Sequence, residues 1–130
     1  MGSFTLDMER FLGREHSKRE EAVKKTATEV FSRIIQRTPV DTGRARANWT
    51  ATIGNQTAAT SEHVDPTGSG AIAVASAVVA GWDHERGSVW LSNNLPYIGR
   101  LEYGHSKQAP VGMVGVTVAE FGGIANEAAR

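Results

Sequence analysis

Residues 15–37, EHSKREEAVKKTATEVFSRIIQR, decide the class of this chain. Ala22, Val23, Ala27, Val30, Phe31, Ile34 and Ile35 recur at helical spacing and form one apolar stripe. Lys18, Arg19, Glu20, Glu21, Lys24, Lys25, Glu29 and Arg33 fill the wet face. Glu20 and Glu21 precede Lys24 and Lys25 by one helical repeat, the favourable order for such pairs, worth about 0.2–0.5 kcal/mol each. Pro39 biases Thr38 away from helical geometry and closes the segment.

Upstream, Leu6, Met8, Phe11 and Leu12 predict a short helical turn over residues 5–12, broken at Gly13. Downstream of a loop at 39–43, Ala45, Ala47, Trp49, Ala51 and Ile53 alternate with Arg44, Arg46, Asn48, Thr50 and Thr52. Period two predicts a half-buried strand ending at Gly54-Asn55. Residues 54–70 are rich in Gly, Ser, Thr and Asn and read as a mobile loop. The run AIAVASAVVA at 71–80 is half alanine, which favours a buried helix over a strand. Asp65 is its expected N-cap, with Pro66 as first helical residue and Gly81 as stop. SVWLS at 88–92 predicts a strand, and residues 93–112 a loop with a helical turn near 98–103. Val114, Val116 and Val118 alternate, which predicts a strand before a C-terminal helix; Val114, Val118, Phe121 and Ala125 equally make a helical stripe. The expected class is α+β: the long N-terminal helix and the Ala-rich helix packed on a small, mainly antiparallel β-sheet.

The 130 residues suffice for one domain, 1–130, with 1–14 expected as a flexible N-terminal arm. A chain of this size buries roughly two-thirds of its unfolded surface without disulfides or a structural metal. It has no cysteine, which excludes disulfide scaffolds, thiolate metal sites and thiol catalysis. Fourteen basic residues balance 14 acidic ones, unlike the basic excess of a dedicated nucleic-acid binder. The balance hides a dipole, because residues 1–50 carry a net charge of +3 and residues 51–130 one of −3. Neighbouring segments of one fold can neutralise such halves, and so can copies packed head to tail. No run approaches the ~20 apolar residues that span a bilayer, and the first 30 residues are charged throughout. A soluble chain without signal peptide or anchor is expected.

Histidines stand at 16, 63, 84 and 105, and no HExxH, GxSxG or phosphate-loop pattern accompanies them. Asp83, His84 and Glu85 form a local cluster that could ligate a metal, though a solvated loop has the same composition. Arg14, Lys18, Lys25, Arg44 and Arg46 could meet nucleic acid, but Glu15, Glu20, Glu21 and Glu29 interrupt that surface. Two segments are more specific. In TPVDTGR at 38–44, Pro39 stiffens the helix exit, Asp41 can accept the Gly43 amide, and Gly43 permits positive φ. Residues 93–110, NNLPYIGRLEYGHSKQAP, concentrate two tyrosines, two prolines and a Glu/Lys pair in a stretch that interfaces favour. Tyr97 and Tyr103 could equally pin that loop to the core.

Taken together, TPVDTGRARANW and NNLPYIGRLEYGHSKQAPVGMV resemble the neck or tail-completion family of long-tailed bacteriophages, the head–tail joining and minor tail components. In that family a TPVDTG segment with a following Trp comes after a long N-terminal helix, and an NxPYAxxLEYG…QAPxGM segment lies near the C-terminus. The likeness covers most of the chain except residues 54–87. It departs from the family pattern at Ala45, where leucine is common, at Ile98, a small residue there, and at His105, usually small and polar.

The resemblance implies a virion structural protein and not an enzyme, made in the bacterial host cytoplasm and placed at the head–tail junction. It implies a homo-oligomeric ring of six or twelve subunits between the head connector or adaptor and the tail terminator or tail tube, with DNA passing transiently through the lumen. No cofactor, metal or membrane is expected. The residues expected at subunit or neighbouring-ring contacts are Asp41, Arg44, Arg46, Asn94, Tyr97, Arg100, Glu102, Tyr103, His105, Lys107 and Gln108. The alternatives are a tail terminator capping the tube, a small metal-dependent hydrolase using Asp83, His84 and Glu85, or a DNA-binding module.

Overall fold

The structure, a computed structural model, describes residues 3–6 and 17–130, with side chains from Arg19 onward. The apolar stripe does form one long helix, α1, Ser17–Arg37. Ala27, Val30, Phe31, Ile34 and Ile35 are buried along it. Thr26 and Thr38 are buried there too, their hydroxyls donating to the carbonyls of Ala22 and Ile34, each 2.7 Å away.

Three strands form an antiparallel sheet in the order β1-β3-β2: β1 Ser3–Leu6, β2 Thr50–Ile53 and β3 Val89–Ser92. Central β3 pairs Ser92 with Ser3 and Thr50, and Val89 with Leu6 and Ile53. Val89, Leu91 and Ala51 therefore share a face, and all three are buried in the core with Phe31, Ile34 and Ile35. Each such large apolar side chain contributes about 1.5–3 kcal/mol when fully buried. On the other face, Trp90 donates to the Gly54 carbonyl at 3.1 Å, while the buried Ser92 hydroxyl finds no partner among the described residues.

The Ala-rich segment is helix α3, Ser69–Ala80, laid on α1 and β2 and ending at Gly81. It is buried on one face only, at Ala75 and Val79. Its start also differs from the sequence expectation. Gly68 is the capping position, and Asp65 reaches forward, its carboxylate accepting the Ala71 amide at 2.8 Å.

Three expected elements are corrected. Residues 44–47 are a helical turn, α2 (Arg44–Ala47), and the strand begins only at Thr50. Thr5 and Leu6 lie in β1 and not in a helical turn, and residues 7–12 of that turn lie outside the described residues. The valine run after Met113 is helix α5, Val114–Ala119, following a short helix α4, Ile98–Glu102; α6, Phe121–Ala128, then closes the chain. Met113, Thr117, Ile124 and Ala125 are buried, so helical periodicity and not alternation describes this segment.

At 100° per residue, the Lys25, Glu29, Arg33 and Arg37 row of α1 lies opposite Glu20 and Ile35. The first row meets α5–α6, where Glu120 accepts from Arg33 at 2.9 Å and from both terminal nitrogens of Arg37 at 2.8 and 2.9 Å. On the opposite side Glu20 meets His84 and Ile35 abuts Gly68. The two guanidinium groups, Arg37 foremost, hold the Glu120 carboxyl down at about 2.

Candidate functional site

The two singled-out segments, far apart in sequence, are neighbours in space. Thr38 leaves α1 buried, and its hydroxyl accepts the indole N–H of Trp49 at 2.7 Å while donating to the Ile34 carbonyl. One buried relay thus fastens the helix end to the residue before β2. Arg46 finishes the helix from outside. Its guanidinium donates to the carbonyls of Gln36, Thr38 and Pro66, each at 2.8 Å, meeting one orphan carbonyl of the last helical turn and tying it to the chain at 38 and 66. Gly43 takes φ 96, and the side chain that bonds this turn is Thr42, accepting from the Arg44 amide at 3.2 Å; the expected acceptor, Asp41, stands exposed.

The second segment closes over the first. Buried Asn93 donates to the Ala45 carbonyl at 2.9 Å and accepts the Leu95 amide at 3.2 Å. Gln108 makes two bonds to one residue: its Oε1 accepts the Val40 amide at 2.8 Å and its Nε2 donates to the Val40 carbonyl at 2.9 Å. Two small clefts flank this joint. One of about 360 Å³ lies between Pro39, Arg46 and residues 108–112, and one of about 190 Å³ lies among residues 39–45, Tyr97 and Gln108.

Several expected contact residues serve the chain's own backbone. Arg44 donates to the Ser61 carbonyl at 3.0 Å and pairs with Glu62 at 2.9 Å. Asn48 brackets Ser61 by accepting its amide and donating to its carbonyl, and Asn94 donates to the carbonyls of Thr57 and Ala59. The stretch 54–68 is thereby held by three side chains at Thr57, Ala59, Ser61 and Glu62. Glu102 accepts the amides of Met113, Val114 and Gly115 at 2.8–3.0 Å, capping α5 in place of any pair with Lys107. Of the expected contact residues, Asp41, Tyr97, Arg100, Tyr103, His105 and Lys107 face solvent, as does Gln108 outside its two bonds to Val40. Tyr103, 77% exposed, does not pin the loop to the core.

The other two candidate clusters are drawn apart. His84 donates its backbone N–H to Glu20 at 2.9 Å, and its Nδ1 lies 2.6 Å from the same carboxylate oxygen, while Asp83 accepts the Glu85 amide at 3.0 Å. The His84 amide, followed by its ring, holds the Glu20 carboxyl below its ordinary range. Among the described residues no three His, Asp or Glu side chains gather to hold a metal ion. Of the basic set, Arg44 and Arg46 are half-buried and bonded along the surface to the chain's own carbonyls and Glu62, Lys25 lines an open groove of about 820 Å³ between α1 and α6, and Arg14 lies outside the described residues, as does the side chain of Lys18. Within that groove Arg33 pairs with Glu29 and Glu120. No helix among the described residues is long and apolar enough to cross a membrane.

Sequence reasoning marked Thr38, Trp49 and Asn93 only as members of their segments. The signal for their role was polar residues inside otherwise apolar surroundings, which must find partners when buried. Comparison with protein-family models, curated proteins and solved structures yields no match to the chain.

Proposed function

We propose that this chain is a structural subunit of the head–tail junction of a tailed bacteriophage, a neck or tail-completion protein. On this reading copies form a ring of six or twelve between the head connector and the tail terminator or tube, and DNA crosses the lumen during ejection. The observation that carries the reading is the Gln108–Val40 and Asn93–Ala45 joint. The two segments on which the family resemblance rests form one continuous unit, as a shared ancestral framework requires. That framework occupies the polar groups of buried Asn93 and of exposed Gln108 and leaves Tyr97, Arg100, Tyr103, His105 and Lys107 on the outside. Tyrosines and arginines presented on a braced loop are what protein interfaces use.

The test is copy number. Purified particles of the encoding phage are quantified by mass spectrometry, and the neck is imaged by electron microscopy with an antibody against the chain. Six or twelve copies at the neck support the reading. Label at the far end of the tube supports a terminator or tip component instead, and absence from particles sinks a virion role.

A further inference from the structure

Between β2 and α3 the chain runs through a strap, residues 55–64, that is pinned at both ends. The Gly54 amide donates to the Ser88 carbonyl at 2.8 Å, and the Gly54 carbonyl accepts the Trp90 indole. Thr52 extends that clamp by donating its hydroxyl to the Asn55 carbonyl at 2.6 Å. At the far end the Asp65 amide donates to the Gly43 carbonyl at 3.0 Å, and Gly43 leaves no room for a side chain against Asp65 and Pro66. The strap itself is exposed except at half-buried Thr57, and none of its side chains enters the core. Its one large apolar residue, Val64, is 46% exposed.

Between its clamps the strap is held by polar contacts from three side chains. Asn94 Nδ2 donates to the carbonyls of Thr57 and Ala59 at 2.9 and 3.2 Å. Asn48 accepts the Ser61 amide at 2.8 Å and donates to the Ser61 carbonyl at 2.9 Å. Arg44 donates from Nε to that same carbonyl at 3.0 Å and from Nη2 to the Glu62 carboxylate at 2.9 Å. The carbonyls of 57, 59 and 61 thus meet one side, as alternate peptide groups of an extended chain do. The strap lies on Arg44, Asn48 and Asn94 as an extended peptide lies in a binding groove, held through its backbone and one carboxylate.

We propose that Arg44, Asn48 and Asn94 form a binding site for an extended acidic peptide, occupied in this structure by the chain's own strap, which releases to admit it. The groove is preset. Asn48 is 3% exposed, and its Nδ2 also donates to the Arg44 carbonyl at 2.8 Å, which keeps the carboxamide oriented without the strap. Arg44 opens α2, and Asn94 follows buried Asn93 at the end of β3. The strap, by contrast, is cheap to lift. Its departure uncovers no core side chain of its own, water replaces its hydrogen bonds, and its backbone regains conformational entropy. Segments of that kind open locally, well below the cost of global unfolding.

The strap also defines the ligand. Three alternate carbonyls, one amide and a carboxylate are engaged, over the small residues Thr57-Ala58-Ala59-Thr60-Ser61 and then Glu62. A strand-like segment of small residues, with Asp or Glu just after the peptide unit that Asn48 brackets, makes the same bonds. The Glu62 side chain is 89% exposed in its pair with Arg44, so a carboxylate arriving from solvent reaches that guanidinium. The site does not depend on the ring reading, since any neighbour that presents such a segment meets it.

The test adds the peptide NQTAATSEHV, residues 55–64 with blocked ends, and follows the side-chain amide signals of Asn48 and Asn94 by NMR. Ser61→Pro removes the amide that Asn48 accepts and, with Glu62→Ala, releases the strap. Unshifted β3 signals verify the fold. In this variant the peptide is expected to shift both carboxamides saturably in the millimolar range. In the parent it is expected to bind about tenfold more weakly, because the tethered strap competes. A Glu62→Gln peptide is expected to bind the released variant about threefold more weakly, a difference that Arg44→Ala erases. No saturable shift in the released variant, or equal shifts in variant and parent, overturns the site. Equal binding of the two peptides overturns the acidic ligand class. Hydrogen exchange of the parent tests release directly: the Ser61 amide is expected to exchange about 100-fold faster than that of Leu91 in central β3. A Ser61 amide as slow as Leu91 overturns release.

Discussion

Gln108 pairs with Val40 as one strand residue pairs with another, its carboxamide accepting the Val40 amide and donating to the Val40 carbonyl at 2.8 and 2.9 Å. A side-chain amide is the one neutral group that can copy both halves of a peptide unit. This pair latches the second motif segment onto the first.

Gln108→Ala is expected to cost about 1 kcal/mol, the usual net value of hydrogen bonds that water can partly replace. Gln108→Glu sets a carboxylate oxygen against the Val40 carbonyl and should be no better. Urea unfolding measures the loss, and hydrogen exchange localises it. Faster exchange of the Val40 amide is the specific result, and unchanged exchange would break the assignment.

The Trp49 indole and Thr38 hydroxyl form a buried pair at 2.7 Å. Thr38→Val keeps the shape and strands the indole N–H, at a cost of about 1–3 kcal/mol. Trp49→Phe leaves the Thr38 hydroxyl its Ile34 carbonyl but opens space. The double variant should fall short of the summed single costs, because the stranded donor is gone. Strict additivity in urea melts would deny the coupling.

Glu102 holds three amides at the start of α5. Glu102→Ala is expected to destabilise by about 1–2 kcal/mol, the scale of a lost N-cap. The amides of Met113, Val114 and Gly115 should exchange faster while those of α1 do not. A loss spread evenly over the molecule would point to a role other than capping.

Glu120 gives a signed pH dependence. Arg37 and Arg33 lower its carboxyl from the ordinary 4.5 to about 2, so the ionised group favours the folded state. That contribution is complete above 4.5 and fades as pH falls toward 2. Melting temperatures of the parent and of Glu120→Gln should therefore converge across that window. A gap that stays constant through the window would remove Glu120 as the titrating group.

Much of the architecture is readable from short stretches, because local pattern and local chemistry agree there. The stripe from Ala22 to Ile35 admits only a helix, Pro39 stops it, and SVWLS admits a strand. The Ala-rich run declares a helix by composition, and the turn at 98–102 by its punctuation. Where the local pattern is ambivalent, reading fails. Small residues alternating from Ala45 and valines alternating from Val114 suit either period.

The sequence by itself therefore determined the α+β class, the long helix, the Ala-rich helix and the two segments that carry the resemblance. Tertiary structure alone decided which of the ambivalent stretches would coil and which polar groups would be spent indoors. Asn93 takes the Ala45 carbonyl across the fold, and Glu102 satisfies the amides opening α5. A helix start needs its free N–H groups met, and here the acceptor comes from a neighbouring segment. The same partition set Arg46 and Gln108 to bracing and left Tyr103 and Val111 outside, because a side chain's partners depend on which backbone lies against it.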